Sequence, residues 1–142
     1  MKALVLDASV VLKWFLPDED FAETALHVLK EYVEGTLELM APTLLPFELL
    51  NGLLVAERRG RISAKVTNGA FAAFLDLDIP LNDPCKGYAE VLPLARTYQR
   101  SVYDAAYLTI AVQEGIDFVT GDKRLFNAVE GKLEWVKWIG HI

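Results

Sequence analysis

Apolar residues fall along this chain in two alternating patterns. Short, largely apolar runs at Lys2–Leu6, Leu37–Met40 and Asp117–Thr120 read as strands, the first of them buried on both faces, and Ile79–Leu81 and Trp135–Trp138 read as two more. Between these runs the spacing becomes helical. Phe21, Ala25, Val28, Leu29 and Val33 mark an amphipathic helix from Asp18 to Val33, with Asp18 or Asp20 as its N-cap and Gly35 as its stop. A proline-punctuated helix runs from about Thr43 to Arg59, stopped by Gly60, and another follows Ser63. Asp83-Pro84 supplies the cap and first-position residues for a helix over much of the stretch to Arg100, which Pro93 is expected to kink or interrupt. A helix over Tyr103–Glu114 ends at Gly115, another follows Asp122, and Ser9 is placed to cap a short helix after the first strand.

Strands and helices alternate almost throughout, which predicts an α/β fold. The expectation is one domain over residues 1–142, in three layers (α/β/α), with a mostly parallel central sheet of about five strands and right-handed crossovers. No linker, repeat or low-complexity tract divides the chain, and 142 residues suit a single core. In such sheets sites form at the carboxyl ends of the strands, where the strand order reverses. Asp7 and Asp122 stand at or just past two of those ends.

Composition narrows the function classes. Apolar residues make up 53% of the chain, above the average for globular proteins, so a well-filled interior is expected with some excess for a subunit interface. One cysteine excludes an intrachain disulfide, and one cysteine with two histidines excludes a closed zinc site of the usual kind. The protein reads as cytoplasmic: Asp7 and Lys13 interrupt the apolar opening, so it is not a signal peptide, and no run is long enough for a membrane helix. The net charge of -6 argues at first against a nucleic-acid partner.

Four acids stand out. Asp7 ends an apolar strand, where an uncompensated carboxylate is costly, although a strand-end Asp also serves as a helix cap. Glu48 lies in a helix apolar around nearly its whole circumference, with Asn51 on the same face; either a cation or a buried arginine would hold it. Asp104 and Asp122 both stand at helix starts, where capping and dipole complementarity suffice to explain a carboxylate taken alone. Together, at one edge of a parallel sheet, the four would have to take up protons or hold cations, and oxygen ligation favours Mg²⁺ or Mn²⁺.

The segments Val5-Leu6-Asp7-Ala8-Ser9, Pro46-Phe47-Glu48-Leu49-Leu50-Asn51, Tyr103-Asp104-Ala105-Ala106-Tyr107-Leu108 and Thr120-Gly121-Asp122-Lys123-Arg124-Leu125 occur in that order and spacing. In this the chain resembles the PIN-domain nucleases, and within them the VapC-type toxins of toxin-antitoxin pairs. The resemblance implies a parallel sheet with its acids at the central carboxyl edge and Mg²⁺- or Mn²⁺-dependent cleavage of RNA by metal-activated water. It also implies homodimerisation and inhibition by a small cognate antitoxin protein. Asp7, Glu48, Asp104 and Asp122 match the family's catalytic, metal-holding acids, and Ser9, Asn51 and Thr120 its supporting polar positions.

Assigning four acids to a metal removes most of the negative excess. Lys13, Arg58, Arg59, Lys123 and Arg124 are then candidates to track an RNA backbone; Arg61 and Lys65 read equally well as solvated helix ends. His27 and His141 are expected to be structural, Cys85 sits where a thiolate can become reactive, and Trp14, Phe15, Trp135 and Trp138 suit the core better than base stacking. The competing reading is a catalytically inactive PIN-like module that binds RNA or a partner protein, its acids serving as caps and salt bridges. An aspartyl phosphohydrolase would need an acid where Ser9 stands, and no GxxxxGK[ST] loop supports a nucleotide triphosphatase.

Overall fold

The computed structural model describes residues 2–142. Strand β1 (Lys2–Leu6) runs through the middle, its Leu4, Val5 and Leu6 buried as a strand covered on both faces requires. With β2 (Leu37–Pro42), β3 (Leu81–Asn82), β4 (Asp117–Thr120) and β5 (Val136–Trp138) it forms a five-stranded sheet of order β3-β2-β1-β4-β5, every pair parallel. Val5 sits between Met40 of β2 and Phe118 of β4. The order turns at β1, with β2 and β3 stepping to one side and β4 and β5 to the other, so a crevice opens at the carboxyl ends of β1 and β4.

The helices are α1 (Ala8–Phe15), α2 (Ala22–Val33), α3 (Leu45–Arg58), α4 (Ala64–Asp76), α5 (Tyr88–Tyr98), α6 (Val102–Glu114) and α7 (Lys123–Val129). Helix α6 packs across β1, β2 and β4 with α5 against its outer side, while α1 packs against α2 and α3. The three-layer α/β/α architecture is the one the alternation predicts. Helix α6 leads into β4 and must run back along the sheet, which brings its first turn, like that of α3 after β2, to the carboxyl edge.

Several local expectations give way to tertiary partners. Helix α2 is not capped by Asp18 or Asp20: its N-cap is Phe21, at φ 62° with no side-chain cap, and Asp18 is taken by Arg61 at 2.9 Å. Helix α1 is capped by Asp7 rather than Ser9. Asp83-Pro84 opens a short 3₁₀ turn, Pro84–Gly87, and the α-helix starts only at Tyr88. Pro93 lies inside α5 without breaking it, because Pro93 and Ala89, whose carbonyl it leaves unpaired, are both exposed to water. Strand β3 begins later than Ile79 because Pro80 has no N–H to give, although its carbonyl accepts from Ala41 N–H at 3.1 Å.

Helix α3 is not buried all round. Leu45, Leu49, Leu53 and Ala56 line its inner face, while Phe47 is 77% exposed and Leu50 also faces solvent. Where α3 meets α1, a Cβ on Gly52 would come within 2.6 Å of Leu12 Cδ1. Gly52→Val is therefore expected to lower stability by about 1–3 kcal/mol through overpacking, read by urea unfolding. Unchanged stability would reject this contact as a constraint.

Candidate active site

Asp7 leaves the end of β1 with extended backbone geometry and caps α1, its Oδ1 accepting from Val10 N–H at 3.3 Å. It is buried, and hydroxyl groups hold both of its oxygens. Ser9 donates to Oδ1, and Thr120, at the end of β4, donates to Oδ2 at 2.6 Å. The two hydroxyls are anchored in turn: Gly121 N–H donates to Ser9 Oγ at 2.8 Å and Asp122 N–H to Thr120 Oγ1 at 3.0 Å. This lattice stitches the ends of β1 and β4 together. Burial raises the Asp7 carboxyl to about 6 despite these hydrogen bonds, with the charge of Asp122 pushing the same way.

Asp122 caps α7 through one oxygen, Oδ1, which accepts from Arg124 N–H at 3.0 Å and Leu125 N–H at 3.3 Å. Asp104, by contrast, is not a cap. Ser101 caps α6, its hydroxyl accepting from Asp104 N–H at 3.0 Å, so the Asp104 carboxylate stands half-buried and, among the described residues, has Arg100 as its one cationic partner, at 3.9 Å. Burial raises its pKa, the charges of Asp122 and Glu48 add to the rise, and Arg100 opposes it. Glu48, in the first turn of α3, is half-buried and accepts a 2.6 Å hydrogen bond from the Tyr107 hydroxyl. Among the described residues no cation lies within salt-bridge distance of Glu48, so a buried arginine does not hold it.

The four acids thus share one electrostatic neighbourhood. Asp122 acts on Asp7 and on Asp104, Glu48 acts on Asp104, and one loosely placed arginine opposes them. Among the described residues no three metal-ligating side chains form a ready-made cage. A cage is what zinc or calcium requires; Mg²⁺ keeps several waters and takes only one or two carboxylates directly. The all-oxygen donor set, with Asp7 buried and mutually repelling acids around it, fits a hard divalent cation that retains part of its hydration shell.

The supporting and basic positions divide. Ser9 and Thr120 touch Asp7, whereas Asn51 is exposed on α3. Lys13 is buried beside Gly121, and Lys123 lies over the Trp138 ring, its Nζ 4.6 Å from the centroid. Arg124 is exposed in the first turn of α7. Arg58 and Arg59 stand at the far end of α3, about 15 Å along the helix from Glu48, and are not brought to the acids. Arg61 is committed to Asp18 and Glu19. His27 is exposed on α2 beside Glu31, and His141 sits edge-on to Phe126. Cys85 is no activated thiol: its hydrogen bond to Asp83 raises its pKa. Trp14 is a core residue whose indole N–H donates to the Ala25 carbonyl at 2.8 Å.

Two neighbours of the acids escape a reading of the sequence. Tyr107, 2% exposed and stacked on Phe118, presents as one more core aromatic until its hydroxyl is seen on Glu48. Burial, followed by that hydrogen bond, raises its pKa, so it stays a donor. Arg100 could have been flagged as a basic residue four positions before Asp104.

A parallel sheet with a hydroxyl-held, buried carboxylate at its switch point and three more acids in its field defines an α/β protein with an acidic centre. A model of the PIN domain matches residues 4–132, and the chain belongs to the PIN-domain family. Among solved structures it is similar to PAE2754 from Pyrobaculum aerophilum, at 22% identity and a TM-score of 0.71, covering 99% of this chain and 92% of that one. It is also similar to VapC20 of Mycobacterium tuberculosis, described as a toxin that cleaves the sarcin-ricin loop, at 16% identity and a TM-score of 0.59, covering 88% and 94%. At these identities the likeness is one of fold. A search of curated proteins found no match.

Proposed function

We propose that this protein is a Mg²⁺- or Mn²⁺-dependent ribonuclease, the toxin of a VapBC-type toxin-antitoxin pair. The observation that carries the reading is the Asp7 carboxylate, buried at the junction of β1 and β4 and held by Ser9 and Thr120 beside Asp122. Membership of the PIN-domain family and the toxin assignment of VapC20 support it. In this reading Asp7, Asp104 and Asp122 hold the cation, and Glu48, oriented by Tyr107, completes the site directly or through water. The bound cation supplies a water of lowered pKa and offsets charge developing on the scissile phosphate. Ser9 and Thr120 keep Asp7 ionised and aimed, and no protein nucleophile is needed.

The partners follow from the same reading: RNA as substrate, a small antitoxin and a second copy of the chain. Exposed apolar surface supports a protein partner. Leu44, Tyr88, Val91, Leu92 and Tyr103 line an apolar groove of about 380 Å³, and Phe47 stands free on α3. Among the described residues no helix is long and apolar enough to cross a membrane, and the reading takes the protein as cytoplasmic.

The test is incubation of purified protein with mixed-sequence RNA in Mg²⁺, Mn²⁺ or chelator. Cleavage that requires metal is the expected result. Failure to cut any RNA, together with no metal binding by calorimetry, would move a binding role to first place.

A further inference from the structure

We propose that the groove between α1, the β4–α7 turn and β5 holds one single-stranded nucleotide next to the scissile phosphate. Its phosphate lies between the Lys13 and Lys123 ammonium groups and its base against Trp138 and Phe21. The inference rests on the ribonuclease reading and deepens it. The groove encloses about 390 Å³, at the small end of ligand sites, enough for one nucleotide and too little for a duplex.

Three features set this groove apart. Lys13 buries its stem, the residue being only 6% exposed, yet it lines the groove, and among the described residues no carboxylate lies within salt-bridge distance of its ammonium. Its Cε is 2.8 Å from where a Cβ on Gly121 would stand, so a side chain at 121 would displace the lysine. Gly121 itself lies between Thr120 and Asp122 and donates to Ser9, so the groove shares a wall with the acidic centre.

The second feature is Phe21. Its backbone is left-handed (φ 62°), an uncommon state for a bulky residue, while its ring stays 44% exposed and meets Trp138 edge-on at 5.8 Å. One edge of the ring covers Gly140, where a Cβ would come within 2.8 Å of Cε1, and the rest of it stays open to the groove. The third is Lys123, an exposed lysine parked over the Trp138 ring. A phosphate beside Lys13 would draw this ammonium off the ring and free the face for a base, so one ligand satisfies both lysines and the indole. Glu19, on the same rim, is already held by Arg61 at 3.1 Å, which leaves Asp20 as the groove's free acid against two ammonium groups.

The test is fluorescence anisotropy with a 5′-labelled mixed-sequence RNA oligomer in chelator, so that nothing is cut, across a series of KCl concentrations. Lys13→Met/Lys123→Met is expected to bind about tenfold more weakly, with a salt slope shallower by about 0.7, the value for one lost phosphate contact on a single strand. Phe21→Gly, which suits the left-handed backbone, is expected to weaken binding about fivefold through lost stacking. Lys30→Met, on the exposed face of α2, serves as the unaffected control. Lys123 is exposed, so Lys123→Met alone carries the test if the Lys13 variant does not fold. Wild-type protein that binds and cuts RNA while these variants bind as tightly would overturn the groove and leave the ribonuclease reading standing. Wild-type protein that neither binds nor cuts RNA would overturn both.

Discussion

Asp7→Asn is expected to cut RNA about 10³-fold more slowly than wild type in Mg²⁺, while the metal-free variant is the more stable protein. The rate loss follows, in the proposed metal-dependent reading, from removing the buried carboxylate that would hold the cation; several kcal/mol of charge stabilisation disappear with it, and that much is worth about three powers of ten. The stability gain follows from the same burial. Asp7 ionises near 3.8 in the unfolded chain and at about 6 in the folded one, because burial disfavours its charge. Between those values the folded state binds the extra proton, so stability is full below pH 4 and falls as pH rises through 6, by about 3 kcal/mol in total. Asp104 is shifted in the same direction and adds to the slope.

Urea unfolding in chelator from pH 4 to 8 reads this directly. Wild type should lose stability across the window and Asp7→Asn should lose less. Because asparagine can accept from only one of Ser9 and Thr120, its advantage at pH 7 is expected to be nearer 1 kcal/mol than the full amount. Adding Mg²⁺ should restore wild type and leave the variant unmoved, since a ligand stabilises only the state that binds it. A flat wild-type profile in chelator would mean that Asp7 carries no unrelieved charge and that the site has no need of a cation.

How far the fold could be read from the sequence depends on where each element finds its partners. Strands β1 and β4 stand where their apolar runs place them, because a run apolar at consecutive positions needs cover on both faces, and the middle of the sheet gives that cover to Val5 and Phe118. Helices α4 and α6 likewise keep the starts and stops that Ser63 and Gly115 supply locally. The cap of α2 was not legible, since Asp18 answers to Arg61, forty-three residues on, and a local pattern cannot contain that pair. The exposure of Phe47 was equally hidden: an all-apolar helix looks the same whether its outer face meets protein or water.

The acids were legible as a set because strand-to-helix junctions of a parallel fold converge on one edge. Their individual roles were not. Asp104 and Asp122 are both acids at the start of a helix, yet Ser101 relieves the first of capping duty while the second keeps it. Ser9 and Asp7 are both eligible caps, and only the tertiary contact with Gly121 turns Ser9 toward the carboxylate it supports. In each case the deciding hydrogen bond comes from a neighbour whose part in the site no residue type announces.

Tyr107 is the sharpest instance, and Tyr107→Phe is expected to lower metal affinity or cleavage tenfold to hundredfold, as loss of a partner that orients a ligand does. Phenylalanine keeps the stack on Phe118, 5.8 Å between ring centroids, so the change is confined to the hydroxyl. That hydroxyl makes the one hydrogen bond described for the Glu48 side chain. Without it Glu48, half-buried, is free to turn toward water, and global stability should change by only about 1 kcal/mol. A positioning residue acts through its partner, so the double variant Tyr107→Phe/Glu48→Gln should be little worse than Glu48→Gln alone in both calorimetric metal titration and single-turnover cleavage. Fully additive losses would separate the two residues and assign Tyr107 to packing, leaving Glu48 to be oriented by something other than the phenol.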